Sequence, residues 1–408
     1  MDSDRTARLQ HRGAVLGLLH SGVHLTRGQI ASRLGITRST VSEVLTDLQE
    51  EGAVVVSKVT HSGGRGRPAE VLCANPGAAR YIAVDYSHTR VMACIANSTG
   101  QVIASGTASY SPDDGWERRC RAGIELARGL EGDDVHFGAL SRIAIGLPGP
   151  NSATWDSGLP SATRAEPFHM VSARIRELFS QAFGVGIMVD HHIRLAALAE
   201  ASAGRATPIR NLVYLRMSTG IGGAVISSGS VAQGAHQQAG EIGHFIVQLD
   251  DDALECRCGR RGCLETVASI DALARDWAHL KGQAPDRAAF EAAAAERDPD
   301  AVALLEVAAQ RVGRVLAMAV LVSDPGEVVL AGEVPRYLPD FVERVQAALW
   351  PSVLSTQHVP VRHSNLGEEA GAIGGIVALM AQQRATEPQK EASMSPNRLE
   401  VTGAPRVG

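Results

Sequence analysis

The sequence predicts an α/β protein carrying a small helical module at its amino terminus, with a metal-binding loop set inside the larger part. Three observations carry this. From about Tyr81 to Met380, short β-prone runs alternate with helical stretches, the order expected of helices packed on a largely parallel sheet. Ahead of them, residues 1 to about 75 read as short helices followed by a Gly/Arg-rich hairpin. Three of the six cysteines crowd into eight residues, Cys256, Cys258 and Cys263, with His244 upstream. A chain of 408 residues is long enough for two or three compact units.

Composition bounds the function. With 45% hydrophobic and 20% charged residues, the chain can bury a sizeable core and remain soluble. No run of about 18 apolar residues is present, so no membrane partner is expected. The first ten residues, MDSDRTARLQ, are too polar for a signal peptide, which points to the cytoplasm. A net charge of −5 gives no global attraction to nucleic acid, so any DNA contact must come from a local patch.

Such a patch is predicted in residues 1–75. Leu9, Val15, Leu16 and Leu19 recur at helical spacing. Thr26 caps a short helix, RGQIASRL, whose Ile30 and Leu34 face inward, and Gly35 supplies the left-handed turn that ends it. Thr37 caps the next helix, RSTVSEVLTDLQEEG, with Val41, Val44, Leu45 and Leu48 on one face. Two short helices about a glycine turn form the helix-turn-helix layout, in which the second helix leads into the major groove with its first residues. Those are Thr37, Arg38, Ser39, Thr40 and Ser42, small or guanidinium-bearing side chains suited to base edges and phosphates. Arg38 fits either a bidentate contact to guanine or a phosphate contact.

The β-prone runs AVVVSKV and AEVLCA, joined by THSGGRGRP, predict a wing. Its tip carries Arg65, Gly66, Arg67 and Pro68, a string that resembles the core of AT-hook peptides. AT-rich minor grooves concentrate negative potential, and two arginines on an extended Gly/Pro-shaped strand can reach in. Taken alone, four such residues read equally as a solvated linker. At wing distance from a helix-turn-helix they predict double-stranded DNA as the partner.

His244 with Cys256, Cys258 and Cys263 makes a closed set of three thiolates and one imidazole. That set signals a structural zinc ion (Zn2+) rather than a catalytic one. In a reducing compartment clustered cysteines favour metal over disulfides, whereas Cys73, Cys94 and Cys120 are isolated and read as buried small side chains. The Ala-rich stretch between Asp286 and Val322 predicts helices without chemistry of its own.

With these residues in hand, the chain resembles the ROK family (repressors, open reading frames and sugar kinases) over most of residues 1–380. The most specific stretches are GAHQQAGEIGHFIV, residues 234–247, and CRCGRRGCLE, residues 256–265. By that resemblance His244 serves both zinc and sugar, while Glu241 and Glu265 accept hydrogen bonds from sugar hydroxyls. Residues 82–100, 218–229 and 323–334 resemble the two phosphate loops and the adenosine segment of an actin-like ATPase core, and GLPGP, residues 146–150, the loop near the sugar. The fold implied is a two-lobed, sugar-kinase or ribonuclease H-like domain over 76–383, with lobes of about 76–195 and 196–383. A winged helix-turn-helix over 1–75 precedes it and a disordered tail over 384–408 follows. A homodimer is implied, with a tetramer left open.

Departures from the family pattern are concentrated where kinases do their chemistry. Counting back from the helix LAALAE, residues 195–200, the catalytic aspartate falls on His192, with His191 before it and Arg194 at a family asparagine. A two-residue slip would bring Asp190 into the role instead, and a histidine can itself act as a base. The first phosphate hairpin reads Asp85-Tyr86-Ser87-His88-Thr89, with side chains where the family has glycines. Glu333 sets a carboxylate in the adenosine segment. Together these predict a domain without kinase activity and without catalytic residues. His191, His192 and Arg194 add donors to the sugar pocket and predict an acidic or phosphorylated sugar as effector. The expected function is a DNA-binding regulator, most simply a repressor, of carbohydrate-related genes. An active sugar kinase with an accessory DNA-binding domain and a ligand-independent regulator are the alternatives.

Overall fold

In a computed structural model of the protein, the described residues are 11–19, 23–60, 69–132, 135–149, 168–202, 208–354, 356 and 358–386. A helix over 11–19 (α1) buries Val15, Leu16 and Leu19, the periodic positions of its sequence. A short strand β1 (Leu25–Thr26) leads into α2 (Arg27–Leu34). There Thr26 and Gln29 cap each other reciprocally, and Gly35 closes the helix at φ 68°. Thr37 then caps α3 (Arg38–Glu50), accepting from the Thr40 amide at 3.2 Å. Strands β2 (Val54–Thr60) and β3 (Ala69–Ala74) complete a three-stranded antiparallel sheet in the order β1-β3-β2. The wing tip, and with it Arg65 and Arg67, lies outside the described residues, as does Leu9.

The core of this module does not stop at its last strand. Ala78 and Ala139, from the segments that flank the next domain, pack into the same apolar cluster as Ile30, Val41 and Leu48. Asn75 donates to the Gly52 carbonyl at 2.7 Å, and the His136 ring lies against Gly52.

Two five-stranded sheets follow, and they share one topology. The first comprises β4 (Tyr81–Tyr86), β5 (Arg90–Ala96), β6 (Val102–Ser109), β7 (Arg142–Leu147) and β8 (Gly186–His191), in the order β6-β5-β4-β7-β8. The second comprises β9 (Leu212–Met217), β10 (Ile221–Ser227), β11 (Ser230–Val231), β12 (Glu327–Gly332) and β13 (Val361–His363), in the order β11-β10-β9-β12-β13. In each sheet the first three strands are antiparallel neighbours and the last two add in parallel. This repeat is the two-lobed, ribonuclease H-like architecture expected from the sequence.

Side chains alternate across β4, and two cores result. Ile82 and Val84 face α4 (Trp116–Gly129) and α5 (Phe168–Phe183), burying Cys120, Ile175 and Phe179. Tyr81 and Ala83 face the last helix. Helix α6 (His192–Ser202) follows β8 without a loop and packs on one face of the second sheet, and α7 (Glu265–Ala268), α8 (Ile270–Lys281), α9 (Arg287–Ala295), α10 (Pro299–Ser323) and α11 (Phe341–Leu349) belong to the core on its other face. The Ala-rich stretch is helical as its propensity predicts, and α10 buries Leu305, Val312 and Leu316 against the second sheet.

The final helix, α12 (Ala370–Thr386), departs from the sequence-based division in two ways. It lies beyond residue 195 and yet packs on the first sheet, placing Ala372, Ile376 and Leu379 against Tyr81, Ala83 and Ala144. The lobes are therefore not contiguous in sequence. It also runs to Thr386, into the stretch expected to be a structureless tail. A repeated sheet fold needs an equivalent helix on each lobe, and α12 and α6 fill those places, crossing each other where a Cβ on Gly374 would strike the Leu195 carbonyl.

Glu200, at the carboxyl end of α6 and 2% exposed, anchors that helix to the second lobe. It takes Arg362 at 2.8 Å, the Ser364 hydroxyl at 2.6 Å and the Asn365 amide at 2.9 Å. Removing the carboxylate strands several buried donors, so Glu200→Ala is expected to destabilise the protein by about 3 kcal/mol. Thermal or urea unfolding checks this, and a loss under about 0.5 kcal/mol, the usual range for surface substitutions, would mean that water replaces the carboxylate at no cost.

Candidate functional site

The leading residues of α3 stand where a groove-reading helix needs them. Thr37, Arg38 and Ser39 are exposed, and Thr40 and Ser42 are half-buried. The Thr37 hydroxyl is engaged locally, 2.9 Å from that of Ser39 and 2.8 Å from that of Thr40. Arg38 folds its guanidinium back over Gly28 on α2. An ion pair from Arg27 to Glu70, with a 3.1 Å hydrogen bond to Gln49, ties α2 to the wing strand β3 and to α3. The reading helix and wing are thereby held in fixed relation.

The second cluster forms where two loops meet. One ligand atom each from His244, Cys256, Cys258 and Cys263 lie within 4.8 Å of one another. Isolated bridges Glu255–Arg261 and Ile246–Cys263 fold the cysteine loop into a tight hairpin beside the turn that carries His244. Cys258 and Cys263 have their sulfurs 3.5 Å apart, and Cys256 Sγ is 3.6 Å from His244 Nδ1. Around a tetrahedral ion with bonds of about 2.3 Å, neighbouring sulfurs are separated by roughly 3.8 Å, so the donors fit such an ion. Because His244 turns Nδ1 to the sulfurs, its Nε2 faces Glu241, 3.8 Å away. The residues can thus hold a metal while pointing one imidazole edge at the pocket next door.

That pocket lies between the lobes, among the ends of β4 and β8, the amino end of α6 and the turn between β9 and β10. Asp85, from the first sheet, is 8% exposed, and its Oδ1 has no hydrogen-bond partner. Burial pushes its carboxyl up to about 7, against the pull of Arg216 and Arg90. Opposite, the rings of His191 and His192 meet edge to face at 5.3 Å. His191 Nδ1 accepts the Ile193 amide at 3.3 Å, capping α6. Burial, reinforced by Arg194 and Arg257, pushes the His191 imidazole down to about 3. Burial, with His191 and Arg216 nearby, drives His192 well below its usual range. Both rings are neutral at neutral pH.

Arg194 is 3% exposed and committed. Its guanidinium donates to the Gln237 carbonyl at 2.5 Å and to Gln237 Oε1 at 3.4 Å, and lies 3.6 Å from Asp190. It braces the loop that delivers Glu241. The expectation that His191, His192 and Arg194 would present charge to an anionic sugar is therefore not met, because burial neutralises two and the third is spent on the protein. The hydroxyl-binding wall is assembled, however. Burial, with the charge of Glu265 beside it, raises the Glu241 carboxyl, and Glu265 accepts the Ile221 amide at 2.9 Å.

Sequence reasoning left Asp85, Gln237 and Arg257 out of the site. Asp85 reads in the sequence as the first residue of the phosphate hairpin, with no local sign that it lies buried. Gln237 matters through its carbonyl, which no side-chain pattern reveals. Arg257 was visible only as the residue between two cysteines.

With this geometry in view, the comparisons are decisive. Residues 81–383 match the ROK family. The chain belongs to the ROK family. Residues 7–61 match a Crp-like helix-turn-helix domain. The chain is 26% identical to a glucokinase of Halalkalibacterium halodurans over 76% of this chain and 98% of that one. It is 25% identical to the xylose repressor of Caldicellulosiruptor bescii over 88% of this chain and 92% of that one. The solved ROK hexokinase of Thermus thermophilus superposes with a TM-score of 0.60 at 31% identity, covering 75% of this chain and 99% of that one. The likeness to the repressor thus takes in more of this ROK protein, 88%, than the likeness to either kinase, 76% and 75%. Among the described residues no helix is long and apolar enough to cross a membrane.

Asp85 yields a pH test. A carboxyl whose folded value lies near 7 resists ionisation in the native state, so native stability falls as pH rises from about 4 to 7. Asp85→Asn removes that cost. Its melting temperature is expected to match wild type near pH 4 and to exceed it by several degrees at pH 8; a gap independent of pH would show that Asp85 ionises freely.

Proposed function

We propose that this ROK protein is a DNA-binding transcriptional regulator, a repressor by the likeness to the xylose repressor, whose sugar-kinase-like domain senses a carbohydrate and does not phosphorylate it. The observation that carries the reading is the pairing of a capped, wing-braced helix-turn-helix with a ROK pocket whose general-base position holds a neutral, buried histidine. Thr37, Arg38, Ser39, Thr40 and Ser42 read or clasp the major groove, with Arg65 and Arg67 reaching the minor groove. Glu241, Glu265 and the Nε2 edge of His244 bind sugar hydroxyls. A zinc ion on His244, Cys256, Cys258 and Cys263 supplies a structural cross-link that fixes the imidazole's orientation. The domain also pairs two copies, and ligand-dependent closure of the lobes changes the spacing of their reading helices.

The kinase reading has the glucokinase likeness in its favour, and the pocket's chemistry stands against it. A base must take a proton from a sugar hydroxyl, and its strength falls with its pKa. His192 is held far below its usual range, while Asp190 is occupied by Arg194 and by the His191 amide at 2.7 Å. In the adenosine segment Glu333 lies 3.7 Å from Arg287 of α9 and keeps one buried oxygen without a partner, so a nucleotide there would meet a carboxylate.

Four outcomes are expected. Genomic fragments selected by the protein at near-physiological salt yield a palindromic site with AT-rich flanks. Exchanging Arg65 and Arg67 together for alanine weakens binding to AT-flanked sites more than to GC-flanked ones, whereas an equal loss on both would leave phosphate contacts only. An ATP-coupled assay with neutral hexoses shows no turnover above background; rates near 1 per second or higher, ordinary for kinases, would overturn the sensing role. Cys258→Ser releases the metal and lowers the melting temperature, checked by metal analysis of the purified protein.

A further inference from the structure

Arg257 lies between two of the metal-cluster cysteines and yet turns its side chain away from the cluster into the pocket. Its Nη2 donates to Glu265 Oε2 at 2.6 Å, the same oxygen that accepts the Ile221 amide. The pair sits over Gly220, where an added Cβ would come within 2.6 Å of Nη2 and 2.8 Å of Oε2. The turn between β9 and β10 therefore carries a glycine at the one place where this ion pair crosses it. The guanidinium is central to the cleft, acting electrostatically on Glu241, His244 and His191, and on His88 of the opposite lobe.

Two consequences follow for any ligand. Glu265 has Oε2 doubly engaged, by Arg257 and by the Ile221 amide, so it keeps only Oε1 for a sugar's hydroxyls, since a metal-bound Cys256 has no proton to give it. Arg257 is the opposite case. More than half of its side chain is exposed, and only one nitrogen makes a hydrogen bond, so a guanidinium edge faces the open cleft. Arg194 is buried and spent, and His191 and His192 are neutral, so Arg257 is a cation with donors to spare on the Glu241 and Glu265 side of the cleft, with Arg216 standing by Asp85 and His192 instead.

We infer that Arg257 sets the effector class of this pocket, using its free edge to take the carboxylate or phosphate of an anionic sugar while it withholds one of Glu265's two oxygens from neutral hexoses. This rests on the carbohydrate-sensing reading above. It adds a residue that selects among sugars, and it returns to the anionic class through a different side chain from those the sequence suggested.

The test is calorimetric titration of the full-length, metal-loaded protein with glucose, N-acetylglucosamine, glucuronate, glucose 6-phosphate and inorganic phosphate, on wild type, Arg257→Ala and Arg257→Lys. Metal content and DNA binding of each variant are measured first, so that a misfolded loop is recognised; if the alanine variant fails there, the lysine variant carries the comparison. Wild type is expected to bind glucuronate or glucose 6-phosphate at least tenfold more tightly than glucose. Arg257→Ala should lose tenfold or more for the anionic sugar and gain for glucose as Glu265 is released. Arg257→Lys should fall between, because an ammonium keeps the charge without the planar fork. An anionic-to-neutral ratio unchanged in both variants would overturn the role of Arg257 and leave the carbohydrate reading intact. Binding of inorganic phosphate alone, with no sugar bound by any variant, would overturn both.

Discussion

The crossing of α6 and α12 is the contact on which the rest of the domain depends. Each helix belongs to one repeat of the sheet fold, and the two meet with backbone against backbone at Gly374 and Leu195. Approach that close needs a residue without a side chain, and it fixes the distance between the lobes. The amino end of α6 then delivers His191, His192 and Arg194 to the cleft, while its carboxyl end is held by the Glu200 network. Changes at the crossing would be felt at both ends of α6, and through α12 at Tyr81 and Ala83 of the first sheet.

Around that frame, buried polarity decides what the pocket can do. Burial raises the Asp85 carboxyl to about 7 and keeps the two histidines neutral. The position aligned with the family's general base, His192, thus carries a weak one, while Asp85 on the first sheet is held near neutrality. Charge enters from the metal-cluster loop, through Arg257, and from Glu241 and Glu265. Hydroxyl acceptors beside so weak a group at the His192 position fit the sensing role proposed above.

Much of this was legible in the sequence, for identifiable reasons. Capping residues and glycine turns are local signals, so Thr26, Gly35 and Thr37 marked α2 and α3 correctly. The cysteine spacing announced a cluster because few other arrangements place three thiols in eight residues. What could not be read was set by packing at long range. The return of α12 to the first sheet depends on contacts as much as 302 residues apart, that of Tyr81 with Gln383 among them, and the residues after 195 carry no local mark of it. The charge states of His191 and His192 depend on burial that the dipeptide itself does not reveal. Arg194 looks like an anion donor until the Gln237 carbonyl is placed beside it.

The apolar core that the winged module shares with Ala78 and Ala139 has a consequence for how this protein evolves and can be re-engineered. A reading head joined by a loose tether can be exchanged between relatives by cutting at the tether. Here the seam between Ala74 and Tyr81 runs through a packed interior, and the opposite side of that seam is supplied by His136 and Ala139. A chimaera made by swapping residues 1–75 alone would join two halves of a core never selected to fit each other. Functional exchange would have to carry the flanking segment and the loop around 136–139 as well, making the unit of inheritance a discontinuous one.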